Sequence, residues 1–388
     1  MNSNQSMILL KGGEVFSPKY LGVRDILIGG KEILSISEES LEIKPKKYVK
    51  AIDLNNKVVI PGLIDLHEHL IGGGGEDGPT SRTPEAKISE LIKSGVTTAV
   101  GVLGTDSISR SLNDLLTKVR SLNLEHFSAF MYTGAYRYPS PTITGDVMKD
   151  IMLIDQILGV KIALSDHRSS FASLNDLAKL TSDVRVAGLL GKKPGIIHIH
   201  MGSAKEKLDI IWQLLDDFPL PITQFHPTHM NRNEELITEG KKFVTKGGHI
   251  DFTADPTDSL LLETLMNWSK DQQLKTNVTL SSDAYGSLPK FNSDGKLIGI
   301  DVGKPDILIK LIKILFLENN LKLPDILPFF TSNPAIILHL TRKGMVQINN
   351  NADLLVLSPD LELEYVFCNG KVMKTPSWIF KGKFEHKL

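Results

Sequence analysis

The sequence contains one cysteine, Cys368, among 388 residues. A single cysteine cannot form an internal disulfide, which is typical of proteins from a reducing compartment. A free cysteine usually behaves as a small apolar side chain. We therefore interpret Cys368 as a buried residue of a strand.

The sequence also has little net charge and no long apolar run. Its 44 Lys and Arg residues balance 45 Asp and Glu residues, giving a net charge of -1, which does not favour a nucleic-acid partner. No stretch reaches the ~18 apolar residues of a membrane span. The richest, 307–317, contains Lys310 and Lys313, which predicts an amphipathic helix. The apolar run at 7–10 is broken at once by Lys11 and two glycines, unlike a signal peptide. We expect a cytoplasmic protein that binds neither membrane nor nucleic acid.

The two ends of the sequence are rich in strand patterns. Short apolar segments in 1–57 and 344–374 are separated by Gly, Asn and charged turns. The dipeptide Asn369-Gly370 lies between two such segments and predicts a hairpin. We predict that 1–57 and 344–388 together form one small β-sandwich-like domain.

The middle of the sequence, 58–343, has a different pattern of secondary structure. Apolar, β-branched segments alternate with helical patterns such as 204–218, which indicates a parallel sheet. Eight repeats predict a closed (β/α)8 TIM-type barrel. An open doubly wound sheet would usually carry a glycine-rich turn leading directly into a helix, and IGGGGEDG does not. The eight segments are 58–70, 97–106, 127–136, 160–168, 195–202, 222–231, 249–255 and 278–286.

The segments start apolar and end polar, and the carboxyl ends of barrel strands carry the active site. His67 and His69 are two residues apart, so on a strand they share a face and form half of a zinc-type site. Nitrogen and oxygen ligands suit a borderline cation such as Zn²⁺. His198 is a rival ligand, because it could form a second His-x-His pair. The candidates that end the fifth, sixth and eighth segments are His200, His229 and Asp283.

Several longer motifs resemble those of the isoaspartyl dipeptidases (β-aspartyl peptidases) of the amidohydrolase superfamily. The resemblance covers nearly the whole chain. The His-x-His pair and the late aspartate mark only the superfamily, whereas the glycine run with Glu76 and the TGAY and SDHR segments are specific to the family. Ser203 departs from the family, which often carries an acid there. The motifs are PGLIDLHEHLIGGGGEDGPTSRTPE, GVLGTDSISR, TGAYRYPSPTITG, GVKIALSDHRSS, HMGS, PTHMNRN and LSSDAYGS.

The resemblance implies a metallopeptidase with two divalent ions, most simply Zn²⁺. His67 and His69 would bind one ion, and His200 and His229 the other. Lys161 would bridge both ions as a carbamate formed with CO₂. A lysine forms a carbamate only as the neutral amine, which burial favours, and Lys161 lies within an apolar strand pattern.

The resemblance also implies the catalytic groups and the substrate, an isoaspartyl dipeptide. Asp283 would ligate a metal and act as general base, and Tyr136 would polarise the scissile carbonyl. Glu76 would pair with the free α-ammonium of the substrate. One acid, two guanidiniums and a hydroxyl match a ligand with one ammonium and two carboxylates. The remaining substrate contacts would come from Gly74, Thr105, Arg168, Arg232 and Ser287. The family tends to form symmetric assemblies, which implies a homo-oligomer.

Two other functions stay open. A dihydroorotase or hydantoinase-like cyclic amidase would share the metal site, but its cyclic substrates carry no free ammonium for Glu76. A metal-free scaffold that had lost catalysis would lose ligands, whereas all six expected positions are filled. Substrate assays distinguish the first alternative, and metal analysis the second.

Overall fold

The computed structural model describes residues 7–44, 46–291 and 297–385. The first part of the chain forms β1 (Met7–Ser17), β2 (Lys19–Gly29), β3 (Glu32–Ser37), β4 (Val49–Asp53) and β5 (Val58–Pro61). The central part forms β6 (Leu63–Glu68), α1 (Ile88–Lys93), β7 (Val96–Gly101), α2 (Leu112–Leu124), β8 (Ser128–Gly134), α3 (Val147–Leu153), β9 (Ile157–Leu164), α4 (Leu174–Gly191), β10 (Ile196–Met201), α5 (Asp209–Asp217), β11 (Phe225–Thr228), α6 (Glu234–Thr245), β12 (Ile250–Thr253), α7 (Ser259–Trp268), α8 (Gln272–Thr276) and β13 (Val278–Ser281). The last part forms β14 (Ser287–Phe291), β15 (Leu297–Val302), α9 (Ile307–Leu317), α10 (Leu323–Ile326), α11 (Ser332–Ile337), β16 (Leu354–Leu357), β17 (Leu363–Cys368), β18 (Lys371–Thr375) and β19 (Trp378–Ile379).

One sheet joins the two ends of the chain. β1 pairs antiparallel with β2 and parallel with both β4 and β5, and β5 pairs antiparallel with β16. β2 pairs with β3, and β16 to β19 extend the other side by antiparallel pairing. The predicted hairpin at Asn369-Gly370 joins β17 to β18, and Cys368 is buried at the end of β17 as expected. The sheet has its own apolar core, which includes Leu10 and Phe367.

The structure corrects the start of the first barrel strand. We predicted that 58–70 belongs to the barrel, but β5 pairs with β1 and β16 in the terminal sheet. The barrel strand begins at Leu63, after Gly62 donates its N–H to the Asp353 carbonyl oxygen at 2.9 Å. The apolar pattern is continuous through both strands, so hydrophobicity alone could not separate them. The division into domains at 57 and 344 stays a prediction.

Eight parallel strands form the barrel. β6 to β11 pair side by side in chain order, and β12 pairs with β13. The Met230 N–H donates to the Asp251 carbonyl oxygen at 3.1 Å, which links the end of β11 to β12. The His69 N–H donates to the Ala284 carbonyl oxygen at 2.9 Å, which closes the ring between β13 and β6. The predicted (β/α)8 barrel with a sheet from both termini is confirmed.

The barrel strands are buried because helices cover their outer face and side chains fill the interior. All eight residues of β9 are buried. α4 begins with a capping box, in which Ser173 and Asp176 satisfy each other's backbone N–H groups. α9 is the predicted amphipathic helix, with Leu308 and Leu315 among its buried residues. Among the described residues, none of the helices has the length and apolar character needed to cross a membrane.

Candidate metal centre and substrate rim

His67, His69 and Asp283 meet where the barrel closes. His67 lies in β6, His69 follows it, and Asp283 lies two residues past β13. One oxygen of Asp283, Oδ1, is 3.2 Å from His69 Nε2 and 3.4 Å from His67 Nε2. The backbone of Asp283 is left-handed, with φ of 51°, a conformation that costs energy outside glycine. The loop after β13 therefore turns sharply to aim this carboxylate at the two imidazoles.

His229 supplies a free nitrogen to the same group. It follows β11 with a left-handed φ of 64°, and its Nδ1 is 2.6 Å from Thr253 Oγ1. Its Nε2 is buried and has no hydrogen-bond partner among the described residues. Ligand atoms of His67, His229 and Asp283 lie within 4.8 Å of one another. A buried nitrogen left without a partner costs free energy unless something binds it, and a metal ion fits this donor set.

Lys161 is buried beside these residues. It lies in β9, and its Nζ is 3.0 Å from His67 Nε2. Burial lowers its pKa to about 7, although the carboxylate of Asp283 acts in the opposite direction. The neutral amine required for a carbamate is therefore accessible near neutral pH. We call His67, His229, Lys161 and Asp283 the deep cluster.

Burial also sets the protonation of the side chains that could bind a metal ion. It lowers the pKa of His67 and of His229 well below the ordinary value, which keeps both imidazoles neutral. Burial opposes ionisation of Asp283, but its contacts with His69 and His229 outweigh burial and lower the pKa of this carboxyl to about 2. Neutral imidazoles and an ionised carboxylate are the forms that bind a cation.

His200 is brought to the deep cluster but is held by other partners. Its ring centre is 4.6 Å from that of His229. Its Nδ1 is 2.6 Å from Tyr136 Oη, and its Nε2 is 3.0 Å from Asp166 Oδ2. Both nitrogens are thus engaged, so His200 could ligate an ion only by exchanging one of these contacts.

The rival ligand His198 is engaged on both sides as well. Its Nε2 is 2.8 Å from His67 Nδ1, and its Nδ1 is 3.1 Å from His226 Nδ1. Its ring stacks on Tyr132, with centres 4.8 Å apart. His198 therefore contacts His67 at Nδ1, whereas the other nitrogen of His67 is the one near Lys161 and Asp283.

Three glycines leave room for the His69 ring. A Cβ at Gly73 would lie 3.1 Å from His69 Nδ1, one at Gly104 3.0 Å from Cε1, and one at Gly286 3.0 Å from Cδ2. These contacts are tighter than ordinary Cβ packing. The glycine run after His69 thus lets the loop pass close to the ring.

Three of the predicted substrate-binding residues contact Glu76. Thr105 Oγ1 donates to Glu76 Oε1 at 2.9 Å, and Ser287 Oγ donates to Oε2 at 3.4 Å. Arg168 Nη1 is 3.4 Å from Oε1. Gly74, with φ of 72°, lies beside Ser287, and a Cβ there would be only 2.4 Å from the Ser81 carbonyl oxygen. We call Glu76, Thr105, Arg168 and Ser287 the rim cluster.

Arg168 connects the rim cluster to the His200 side of the site. Its Nη2 is 3.3 Å from His200 Nε2, and its guanidinium lies 5.2 Å from the centre of the Tyr136 ring. Arg232 approaches the same His200 nitrogen at 3.5 Å. Burial raises the pKa of Tyr136, so its hydroxyl keeps its proton and can donate a hydrogen bond.

Asp166 and Arg110 are site residues that sequence analysis missed. Asp166 accepts from Arg168 Nε at 2.9 Å and from Nη2 at 2.8 Å, a bidentate pair. The buried Arg110 donates to the carbonyl oxygens of Ile71, Gly73 and Thr83 and so clamps the glycine loop. The Asp-x-Arg spacing could have revealed Asp166. The spacing of Arg110 gives no such signal.

Comparison with known proteins places the whole chain in a family. No family model matches the sequence. A β-aspartyl dipeptidase from Fervidobacterium islandicum AW-1, solved in complex with a β-Asp-Leu dipeptide, has 38% identity and a TM-score of 0.92. The alignment covers 98% of this chain and 99% of that one.

The chain belongs to the isoaspartyl (β-aspartyl) dipeptidase family of the amidohydrolase superfamily. It is therefore a hydrolase. A second structure of the Fervidobacterium protein has 36% identity and a TM-score of 0.89, with 98% and 100% coverage. A dihydroorotase from Staphylococcus aureus is 34% identical over 401 residues, covering 92% of this chain and 91% of the relative. These relatives have two different activities, so the substrate has to be argued from the rim cluster.

Proposed function

We propose that the chain hydrolyses isoaspartyl dipeptides at a site for two divalent metal ions. The observation that carries the proposal is the reach of Arg168, which contacts Glu76 at 3.4 Å and His200 at 3.3 Å. One guanidinium thus joins the acid that would select an ammonium group to the buried imidazoles. A dipeptide held at the rim would have its amide bond directed to the deep cluster.

The metal ions, most simply Zn²⁺, would be held by buried nitrogen and oxygen atoms. Lys161, as a carbamate formed from its neutral amine and CO₂ with loss of a proton, would bridge them. When bound, two such ions supply Lewis acidity to the scissile carbonyl and lower the pKa of the attacking water. The protein ligands would be His67, His69, Lys161, His200, His229 and Asp283. For His200, this requires one ring nitrogen to give up its present contact, either Nδ1 with Tyr136 or Nε2 with Asp166.

The chain itself would supply a base and an oxyanion donor. Asp283 is ionised and can accept the proton of the attacking water. Tyr136 keeps its hydroxyl proton and, once freed from His200, can donate to the carbonyl oxygen as negative charge develops. The neighbouring Arg168 guanidinium adds positive charge at the same place.

The rim cluster would recognise both ends of the dipeptide. Glu76 would exchange its contacts with Thr105 and Ser287 for the α-ammonium group, and the freed hydroxyls could then bind a carboxylate. Arg168 and Arg232 would hold the two substrate carboxylates by charge-assisted hydrogen bonds. The close backbone at Gly74 would complete the pocket.

The alternative is a cyclic amidase, and the Staphylococcus aureus dihydroorotase favours it through its 34% identity. A cyclic amide such as dihydroorotate has a carboxylate that the arginines could bind. It has no free ammonium, so Glu76 would remain without a counter-charge from the ligand. The rim cluster therefore fits a dipeptide better than a ring.

A substrate screen tests the proposal. The zinc-loaded protein is assayed with β-Asp-Leu, α-Asp-Leu, dihydroorotate and hydantoin, with metal content measured by mass spectrometry. We expect turnover of β-Asp-Leu and little turnover of the other three. Faster turnover of dihydroorotate than of β-Asp-Leu would replace the proposal with the alternative. A fully loaded protein that cleaves none of them would refute both.

A further inference from the structure

A line of buried hydrogen-bonding groups runs across the barrel interior behind His67. His67 Nδ1 is 2.8 Å from His198 Nε2, and His198 Nδ1 is 3.1 Å from His226 Nδ1. His226 Nε2 is 3.2 Å from Thr279 Oγ1, which is 2.6 Å from Asp251 Oδ1. All five residues are buried. None of the last four belongs to the metal ligands or the rim cluster proposed above.

Asp251, at the far end of this line, determines which atom donates and which accepts in each hydrogen bond. Its Oδ2 accepts from Ser281 at 2.5 Å and from Thr228 at 2.7 Å, and its Oδ1 faces Thr279. A carboxylate surrounded by hydroxyl groups acts as the acceptor. The two other acceptors in contact with Thr279 are farther away, His226 Nε2 at 3.2 Å and the Ile250 carbonyl oxygen at 3.3 Å. The Thr279 proton therefore points to Asp251, which leaves the Thr279 oxygen free to accept from His226.

Each neutral imidazole has one N–H donor and one lone pair that accepts. Once the donor is assigned at one end of the line, the donor in every following ring is therefore assigned as well. His226 carries its proton on Nε2 and presents the lone pair of Nδ1 to His198. His198 then carries its proton on Nδ1 and presents the lone pair of Nε2 to His67. His67 in turn carries its proton on Nδ1. The lone pair of His67 Nε2 is left facing the deep cluster.

The other end of the line agrees with this direction. His67 Nε2 is 3.0 Å from Lys161 Nζ, a group with N–H donors, and is farther from Asp283 Oδ1, at 3.4 Å. A lone pair on Nε2 suits the nearer contact. The opposite direction needs a proton on Asp251 and puts an N–H on His67 Nε2, which cannot bind a cation.

We propose that Asp251, Thr279, His226 and His198 are positioning residues that hold His67 in the Nδ1–H tautomer, so that its Nε2 is ready to bind a metal ion. Metal-binding histidines usually have one partner on the second nitrogen, and its loss typically costs 10- to 100-fold in metal affinity. Here the partner is a line of three side chains that ends on a carboxylate. The inference that His67 is prepared for a metal ion rests on its proposed role as a ligand. The assignment of its tautomer rests only on the hydrogen bonds described above.

The tautomer can be measured without metal or substrate. In the metal-free protein labelled with ¹⁵N-histidine, long-range ¹H–¹⁵N NMR correlations distinguish an Nδ1–H imidazole from an Nε2–H one, and loss of the signal in His67→Asn assigns it. We expect His67 to be at least about 90% Nδ1–H, as a single fixed direction requires. A His67 ring protonated on Nε2, or an even mixture of tautomers, would overturn the inference in the wild-type protein.

Substitutions test the line from its remote end. Thr279→Val removes the hydroxyl but keeps the shape, and we expect it to lower zinc affinity about 10-fold, measured by chelator competition. Thr279→Ser restores the hydroxyl and should return affinity to within about twofold of the wild type. Thr98→Val is the matched control, because Thr98 Oγ1 is also buried and has no hydrogen-bond partner among the described residues.

The outcomes separate this inference from the proposed function. Equal zinc affinities for Thr279→Val and Thr98→Val would overturn the proposed positioning of His67 by these residues, even if β-Asp-Leu were cleaved. If the protein does not cleave β-Asp-Leu but His67 is the Nδ1–H tautomer and Thr279→Val lowers zinc affinity, the positioning role of these residues is supported. The proposed substrate is then refuted. If Thr279→Val does not fold, the tautomer measurement on the wild type decides.

Discussion

The deep cluster and the rim cluster differ in whether their polar atoms already have partners within the protein. In the deep cluster, His229 Nε2 is buried with no hydrogen-bond partner among the described residues, and Asp283 Oδ1 lies more than 3 Å from both His67 and the neighbouring His69. In the rim cluster, both Glu76 oxygens are already contacted by side chains that we expect to bind substrate. The deep cluster thus has atoms ready for metal ions, whereas the rim must exchange internal contacts for those of the substrate. In the proposed function, the deep cluster holds the metal ions and the rim cluster selects the ligand.

The strongest test of the deep cluster is Lys161→Ala. We expect activity to fall by more than about 100-fold, because the side chain proposed to bridge the two ions as a carbamate is removed. Acetate or propionate should restore part of the activity by supplying a free carboxylate. Lys205→Ala is the control, since Lys205 is exposed on the loop after β10. Near-normal activity with two bound metals would show that Lys161 is not the bridge.

The corresponding test of the rim is Glu76→Gln. We expect kcat/KM for β-Asp-Leu to fall about 10- to 100-fold, since a charge-assisted hydrogen bond is worth ~1.5–3 kcal/mol. An N-acetylated substrate has no ammonium and should lose much less. Asp77→Asn, a neighbouring exposed acid, is the control. An equal loss on both substrates would move Glu76 from recognition to catalysis or metal organisation.

The pKa of Lys161 predicts how the metal-free protein is reactivated by CO₂ and zinc. Because burial lowers this pKa to about 7, the neutral amine increases as pH rises through that value. At fixed dissolved CO₂, the initial rate of reactivation should rise about tenfold from pH 6 to pH 8 and then level off. A lysine with the ordinary pKa would give about a 100-fold rise over the same range, with no plateau. That second result would contradict the deep burial of a neutral amine.

The smallest expected effect is at Asp166, which holds Arg168 without belonging to the rim cluster. Asp166→Asn removes the charge of a bidentate pair that is partly exposed. We expect KM for β-Asp-Leu to rise about 3- to 10-fold with kcat less affected, because the guanidinium is less well oriented. Metal content should not change, and Asp77→Asn again serves as the control. A loss of metal would show that Asp166 acts mainly through His200.

Most of the barrel could be predicted, because eight apolar segments with polar ends recur along the sequence. Its first strand was placed too early, since the apolar pattern continues from β5 into β6. His67 and His69 were recognisable as a pair from their spacing alone. Their closeness to Lys161, His229 and Asp283 required the closed barrel, which brings together strands far apart in sequence. The roles of all these residues remain predictions.

The sequence by itself determined the strand–helix rhythm, the sheet-forming ends and the residue types available for chemistry, because these depend on local periodicity and spacing. Only the tertiary structure decided which side chains share hydrogen bonds. His198 could have been a ligand by spacing, but the barrel turns it to His67 and His226. His200 ends its strand as predicted, yet Tyr136 and Asp166 hold both its nitrogens. Such partners lie dozens of residues away, and their distances depend on the twist and closure of the barrel, which local sequence does not encode.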